Sequence, residues 1–592
     1  MRDSEIRAGG AKAWRRLLLT LLLVLGLAGR GGAASREAFL SKLLEARGLD
    51  WSGAPEADGA SFLLRTGVVT DAVDRLDVPV TRREALRWCI QSLGLAFEAG
   101  VLSEVPTAFK DVRALTEFER GCLLVAVRMS PPLLRESAGF RGDQRLSDGE
   151  MRDLLGAVRS ASRGLSLEVS LTPLKGLELL IHREGVPTGI PRWRVFADGY
   201  DSRDSAVAGQ AFFRSKGFEM SLLQPQYDWF LRSAFLDDYG QVRRLASLIR
   251  SRGRSARILP SVSNSDTERL PRYWTLLIID PGLWKLTPVF SRGGLSTLAP
   301  LSEMARSNGV SAALNAGFFA ATGLNRGYPI GALRVGGALL NRPYPGRTCL
   351  GWNDGEAAAF GLASWPGELR TSAGSLTVNS LNRFAKGNTA VVYTPHYGPT
   401  TPKVTSVQAV EVLVRDGKAH HLRPSGGPLP QDAWVLAGYG TMADLLKQRL
   451  PMGSELEMDS VLFGPEGESW EEMTEIIQAG PLLLYDGQPR REAEGFSNSL
   501  IAMRHPRSAV GLTREGKWFF MALDGRNGLH AAGATLSELT TLLRSLGMAY
   551  ALNLDGGGST ELIVSGKIYN LPSEGRERSI SNGLGIKAAD GG

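Results

Sequence analysis

Three stretches in the C-terminal half are apolar on nearly every residue, and each stops on a polar cluster. "VSAAL" runs into Asn315-Ala316-Gly317, and "WFFMAL" runs into Asp524-Gly525-Arg526. "MAYAL" runs into Asn553-Leu554-Asp555 and then Gly556, Gly557 and Gly558. Runs this short and this apolar fit strands covered on both faces better than buried helices. Such strands impose layers, so the expected architecture is a mixed α/β (α+β) domain with a central sheet and helical cover. The polar clusters then fall at strand ends, where open sheets form clefts and where distant segments can build one site. Glycines there let the backbone approach a ligand closely or take positive φ. Successive N–H groups in such a loop can form an anion nest.

At 592 residues the chain is too long for one core, so several domains are expected. Residues 1–34 read as a signal peptide: Arg2, Arg7, Lys12, Arg15 and Arg16 precede a short apolar run, Leu17 to Ala28, and then small residues. The chain is therefore expected to be exported, to the periplasm, cell surface or wall of a bacterium, with no transmembrane segment beyond the signal peptide. Three cysteines at no metal spacing, Cys89, Cys122 and Cys349, read as buried thiols. The formal charge of +7 is dispersed, which argues against nucleic acid and suits an anionic polymer.

Residues 36–160 alternate loops with helical stripes. Thr81 with Glu84, and Thr116 with Glu119, form capping boxes, and Ser147 caps a further helix. Residues 161–190 hold two short apolar runs, "LSLEVSL" and "GLELLIH", expected to form a small β linker. Residues 191–262 read strand-helix-strand-strand-helix-strand, a ferredoxin-like βαββαβ domain. A turn-rich linker follows, and residues 272–588 carry the polar clusters, with "YWTLLIID" and "KLTPVF" expected to pair as a hairpin.

Within 272–588 two more clusters precede strands. "MRHPRSAV" supplies Arg504, His505 and Arg507, and "RERSISNGLGI" supplies Arg578, Ser581 and Asn582. Arginine forks suit phosphate. Asp524 and Asp555 are the candidate catalytic carboxylates, with His505 as acid, base or hydrogen-bonding partner. Arg504, Arg507, Arg526 and Arg578 are phosphate candidates. Asn315, Asn553, Ser559, Ser581 and Asn582 are the candidate hydrogen-bonding side chains for a substrate, with Gly317, Gly556, Gly557 and Gly558 forming the backbone surface. No cofactor is demanded. Asp, Asn and carbonyl oxygens are also hard donors compatible with a divalent cation.

Three resemblances add to this reading. "FKDV" (Phe109 to Val112), Phe140 and "TRRE" (Thr81 to Glu84) resemble S-layer homology repeats, with about one and a half repeats visible. "WRVFADGYDSRDSA" and "SKGF" resemble the SPOR domain. These two imply attachment to peptidoglycan or a secondary cell-wall polysaccharide. "NAGFF", "QAGPLLLYDG", "RHPRSAVGLTREGKWFFMALDGR", "LNLDGGGSTELIVSGKIYN" and "RERSISNGLGI", in that order, resemble the phosphodiester glycosidase family. That resemblance implies a hydrolase acting on a sugar-phosphate substrate, between an anomeric carbon and a phosphodiester of the N-acetylglucosamine-1-phosphate type. The competing readings are a wall-polysaccharide binder without turnover and an endo-acting glycosidase.

Overall fold

The computed structural model describes residues 33–589, apart from residues 53, 138, 224–228, 264–269, 355–357, 372–373 and 468. Nearly all of the expected signal peptide, and the middle of the expected linker after residue 262, lie outside the described residues. Several sheets and 12 α-helices are present among the described residues. None of these helices is long and apolar enough to cross a membrane. The chain divides into two compact units, one of residues up to Arg163 (except 65–67 and 128–130) and one of the remainder.

The first unit is helical. The Thr81–Glu84 and Ser147–Glu150 capping boxes form as expected, opening helices Arg82–Ser92 and Asp148–Ala161. Thr116 and Glu119 cap each other ahead of helix Glu117–Arg128. A further capped helix, Arg36–Arg47, begins at Ser35. The residues before the three caps form a short ladder: Val80 N donates to Ala34 O, and Leu146 N to Val80 O. Arg36 pairs with Glu84 and Arg82 with Glu150, so the first residue of each helix reaches the capping glutamate of the next. Helices Arg36–Arg47, Arg82–Ser92 and Asp148–Ala161 thus start in the same way, and their starts are linked to one another. The first of these starts was hidden because Ser35 lacks a glutamate three residues on. Cys89 and Cys122 are free and buried, with their thiols pushed up chiefly by burial.

In the second unit a nine-stranded sheet runs Met129–Ser130, Ser166–Leu171, Leu177–Glu184, Arg272–Ile279, Trp518–Leu523, Arg507–Thr513, Met548–Asn553, Leu482–Tyr485, Gln488–Pro489. Its ladders are all antiparallel. Helix Leu536–Ser545, capped by Thr535 and Glu538, covers one face with Leu536, Leu539 and Leu543 against Phe519, Met521 and Ala551. Two expectations change here. The runs within 161–190 are not a separate linker, because Leu177–Glu184 pairs along its whole length with Arg272–Ile279. Residues 272–279 and 284–290 are not a hairpin either. The second enters a five-stranded sheet, beside Asn582–Ala588, Ala312–Asn315, Leu562–Val564 and Lys567–Ile568.

Residues 190–263 form a four-stranded antiparallel sheet in the order Met220–Leu223, Trp229–Ser233, Ile190–Tyr200, Ser255–Ser263. Helices Arg203–Ser215 and Tyr239–Ser251 pack on Trp193, Val195, Ala197 and Leu231. This is the expected ferredoxin-like βαββαβ arrangement. The hairpin Ala409–Arg415/Lys418–Pro424 turns on Asp416 and Gly417, both at positive φ, as an Asp-Gly turn requires.

Candidate active site

The two sheets meet at Asn315. It ends its strand buried, and its Nδ2 donates to Asp555 O at 2.6 Å. Its Oδ1 accepts from Ser508 Oγ at 2.6 Å and from Glu561 N at 3.1 Å. Asp555 N donates to Ala316 O, and Gly557 N to Pro506 O. The clusters after two of the apolar runs and the segment Pro506–Ser508 are thus tied together by backbone and side-chain hydrogen bonds, which fixes the loop Asp555–Ser559.

A cleft of about 280 Å³ opens over that loop. Its wall is built by His505, Arg507, Arg526, Asn553, Asp555, Gly556, Gly557, Gly558 and Arg578, with Ser497, Ser499 and Leu500 at one side. Asp555 is the carboxylate of this lining. Burial raises its pKa above the ordinary range against the opposing pull of Arg578, Arg526 and the Gly556 N–H. Arg526 stands at φ +62 and donates to His505 Nδ1 at 3.1 Å. The pKa of His505 is lowered by burial and then by Arg526 and Arg507. Arg578 pairs with Glu574. Asn553 Nδ2 donates to Gly480 O, and its buried Oδ1 has no partner among the described residues.

The three glycines are needed for different reasons. Gly557 has φ +66, and a Cβ there would lie 3.0 Å from the Arg526 guanidinium. A side chain at Gly558 would collide with Arg578 and Glu574. The loop supplies no nest of free N–H groups at its start. Gly556 N donates to Asp555 Oδ1 and Gly557 N to Pro506 O. The positive charge facing the cleft from beside this loop is therefore that of the Arg526 and Arg578 side chains. We expect Gly557→Val to cost about 1–3 kcal/mol of backbone strain but to lower kcat/KM on the order of 10²-fold by displacing Arg526. Melting and kinetics measured together check this, and equal losses in both would make the loop an ordinary turn.

Several candidates stand behind the cleft rather than in it. Asp524 is buried, accepting from His530 Nε2 (2.8 Å), Asn570 Nδ2 (3.0 Å) and Leu571 N (2.7 Å). Arg504 pairs with Glu538 at 2.6 Å and, chiefly through that hydrogen bond, pulls its carboxyl to about 2. Arg507, by contrast, is in the cleft wall but spends its donors on the carbonyls of Ala534, Leu500 and Met503. Asn582 Oδ1 accepts from Gly317 N, while Ser559 and Ser581 are buried. His530, Asn570, Glu561, Glu574 and Glu577 went unread. Asn570 closes a quoted motif and was the most accessible of these from sequence.

The donors do not favour a cation. Among the described residues no group of three or more His, Cys, Asp or Glu could hold a metal ion. The cleft presents Asp555 among guanidinium groups, which repel a divalent ion.

Glu561 is buried with Glu577 alongside, and burial followed by that neighbour pushes its carboxyl to about 9. Glu577 Oε2 accepts from Ser302 Oγ at 2.5 Å. A carboxyl with its folded pKa raised contributes fully below the unfolded value and loses that contribution as pH rises through the folded one. Glu561 therefore costs stability progressively from about pH 4.5 to 9. Glu561→Gln removes the need for the proton. It should stabilise the protein by about 2–3 kcal/mol near neutrality and flatten melting temperature against pH. An unchanged slope between pH 5 and 8 would count against the shared-proton pair.

Fold and site together define a cleft lined by guanidinium groups and one carboxylate, built at strand ends of an α/β unit. Residues 452–587 match the phosphodiester glycosidase family, and every residue of the cleft lining falls within that segment. The C-terminal part of the chain thus carries a phosphodiester glycosidase domain. The SPbeta prophage-derived uncharacterized protein YomE of Bacillus subtilis is 35% identical over 111 residues, 19% of this chain and 17% of that protein. N-acetylglucosamine-1-phosphodiester alpha-N-acetylglucosaminidase of Mus musculus is 32% identical over 103 residues, 17% of this chain and 20% of that enzyme. The chain thus spans about a fifth or less of the length of these relatives. The crystal structure of the "Putative exported protein" of Burkholderia pseudomallei shares the fold over 71% of this chain and 96% of that one, with TM-score 0.53 and 20% identity.

Proposed function

We propose that the chain hydrolyses the bond between a sugar anomeric carbon and a phosphodiester, releasing the free sugar and a phosphomonoester. The observation that carries this reading is Asp555 in the cleft with Arg526 and Arg578 close enough to perturb it. Both guanidinium groups would hold the phosphate as negative charge develops on the departing oxygen. A phosphate leaves without a strong general acid. This suits a cleft whose histidine has a lowered pKa and is already engaged with Arg526. Ionised Asp555 would stabilise the oxocarbenium-like centre or attack it. Water then supplies a hydroxyl to the anomeric carbon, while the C–O electron pair leaves with the phosphate. Asn553, in the cleft wall, would help to orient the sugar.

Export to a bacterial envelope and a wall polymer as substrate belong to the same proposal. They are supported by the basic-then-apolar N-terminus and by the capped helical units and ferredoxin-like sheet, which resemble wall-binding modules. The full chain should release sugar and phosphomonoester from an N-acetylglucosamine 1-phosphodiester, and in heavy-oxygen water the label should enter the sugar. Label in the phosphate, or no turnover across a panel of sugar-1-phosphodiesters, would remove this reading in favour of a binder or another hydrolase.

A further inference from the structure

One strongly charged surface is left unused by the cleft: the face of the four-stranded sheet opposite its helices. Along Ile190–Tyr200, Trp193, Val195 and Ala197 join the helical core, so the alternation turns Arg192, Arg194, Phe196 and Asp198 to the other side. The ladder pairs Phe196 with Arg257 on one neighbouring strand and with Arg232 on the other. A row Arg257–Phe196–Arg232 therefore crosses three strands. Neighbouring strands lie about 4.8 Å apart, so its two cations are spaced by roughly 10 Å. The Arg257 guanidinium lies 4.5 Å from the Phe196 ring centroid, and that of Arg194 lies 3.8 Å from the Phe235 centroid.

The two carboxylates nearby are taken, Asp198 by Arg257 and Asp237 by Arg192. The side chains of Arg194 and Arg232 have no hydrogen bond or ion pair with any described residue, and Arg194 Nε is a buried donor without a partner among them. Burial, then the like charges of Arg232 and Arg192, lower the pKa of Arg194. Cations held close together without counter-charge are what an anion would relieve.

This face continues into the cleft. Arg257 Nη1 donates to Glu574 O, and the Glu574 carboxylate holds Arg578 in the cleft wall. Gly575, at φ +70, lies against Leu259 of the same face, where a Cβ would come within 2.9 Å of Leu259 Cδ2. The segment that rims the cleft thus rests on the edge of the sheet.

We propose that the open sheet face is a subsite for the rest of a polymeric substrate, a saccharide with repeated phosphodiesters. Its further phosphates would meet Arg194 and Arg232, and its sugar rings would lie on Phe196 and Phe235. This role presupposes the sugar-phosphodiester reading of the cleft, and it selects a polyanion over a neutral glycan.

The test compares the full-length protein with the Arg194→Gln/Arg232→Gln double variant, after melting curves confirm that both are folded. The substrates are methyl N-acetylglucosamine 1-phosphodiester and a short synthetic oligomer of N-acetylglucosamine 1-phosphate. KM for the oligomer should rise about tenfold at low ionic strength, and the difference should shrink at high salt. Turnover of the methyl diester should stay within about twofold. Equal losses on both substrates, or none on the oligomer, would overturn the subsite. If the parent protein turned over neither substrate, the reading of the cleft would fail alone. Fluorescence anisotropy with the labelled oligomer would then still decide the surface, against a neutral N-acetylglucosamine oligomer as control. Weaker oligomer binding by the variant, with the neutral control unaffected, supports the subsite. Equal weakening of both, or no weakening, refutes it.

Discussion

Asp555→Asn should abolish turnover of a sugar-1-phosphodiester, lowering kcat/KM on the order of 10³-fold or more, without destabilising the protein. The substitution keeps shape and keeps an oxygen for the Gly556 N–H, which Asp555 Oδ1 accepts at 2.9 Å. What it removes is charge. The folded pKa of Asp555 is raised, chiefly by burial. Its contribution to stability is therefore complete below the unfolded pKa and declines as pH rises through the folded one. Above the unfolded pKa this carboxyl is therefore a burden on the fold, offset in part by Ser559, Arg578, the Gly556 N–H and Arg526. The neutral variant is expected to melt at or above the parent temperature, and the divergence of kinetics from stability is the signature of a group retained for chemistry. Kinetics and melting at pH 7 provide the check. Activity retained within about tenfold would move the catalytic role elsewhere.

Much of this site could be read from the sequence because its parts are contiguous with apolar runs. His505, Arg507, Arg526, Asn553, Asp555, the three glycines and Arg578 were all expected at strand ends, and all line one cleft. What the pattern could not give was direction and pairing. Asp524 follows "WFFMAL" as Asp555 follows "MAYAL" and Leu554, and nothing local distinguishes a carboxylate facing the cleft from one facing inward. The difference comes from His530, further along the same loop, and from Asn570 and Leu571, brought in from another. Strand partners have the same character. An apolar run fixes burial on two faces but not its neighbour, so "YWTLLIID" joined residues 177–184 and 518–523 rather than the next strand in sequence. The ferredoxin-like sheet was legible because helix caps and strand alternation are local. Its continuity with the cleft rests on Arg257 and Glu574, far apart in the chain.

Asp524 gives the second large effect, and it should appear in the opposite quantity. Three hydrogen bonds converge on this buried carboxylate, and two of them, from Asn570 Nδ2 and Leu571 N, hold the start of the segment that carries Glu574 and Arg578. Asn570 is itself shared, with Nδ2 also donating to Thr560 O and Oδ1 accepting from Leu562 N. Asp524→Ala would strand His530, Asn570 and a backbone N–H in a buried place, a loss of about 3–5 kcal/mol. The melting temperature should therefore fall by several degrees, and protease cleavage within 571–578 should accelerate. Turnover should fall as well, because Arg578 loses its footing, but the fall should track the folded and ordered fraction. At low temperature, which favours the ordered loop, Asp524→Asn should recover part of its activity, whereas Asp555→Asn should recover none. Were Asp524 instead a reacting carboxylate, its Asn variant would melt like the parent and stay inactive under every condition. The two aspartates, similar in sequence, are then separated by one pair of measurements, stability for the first and chemistry for the second.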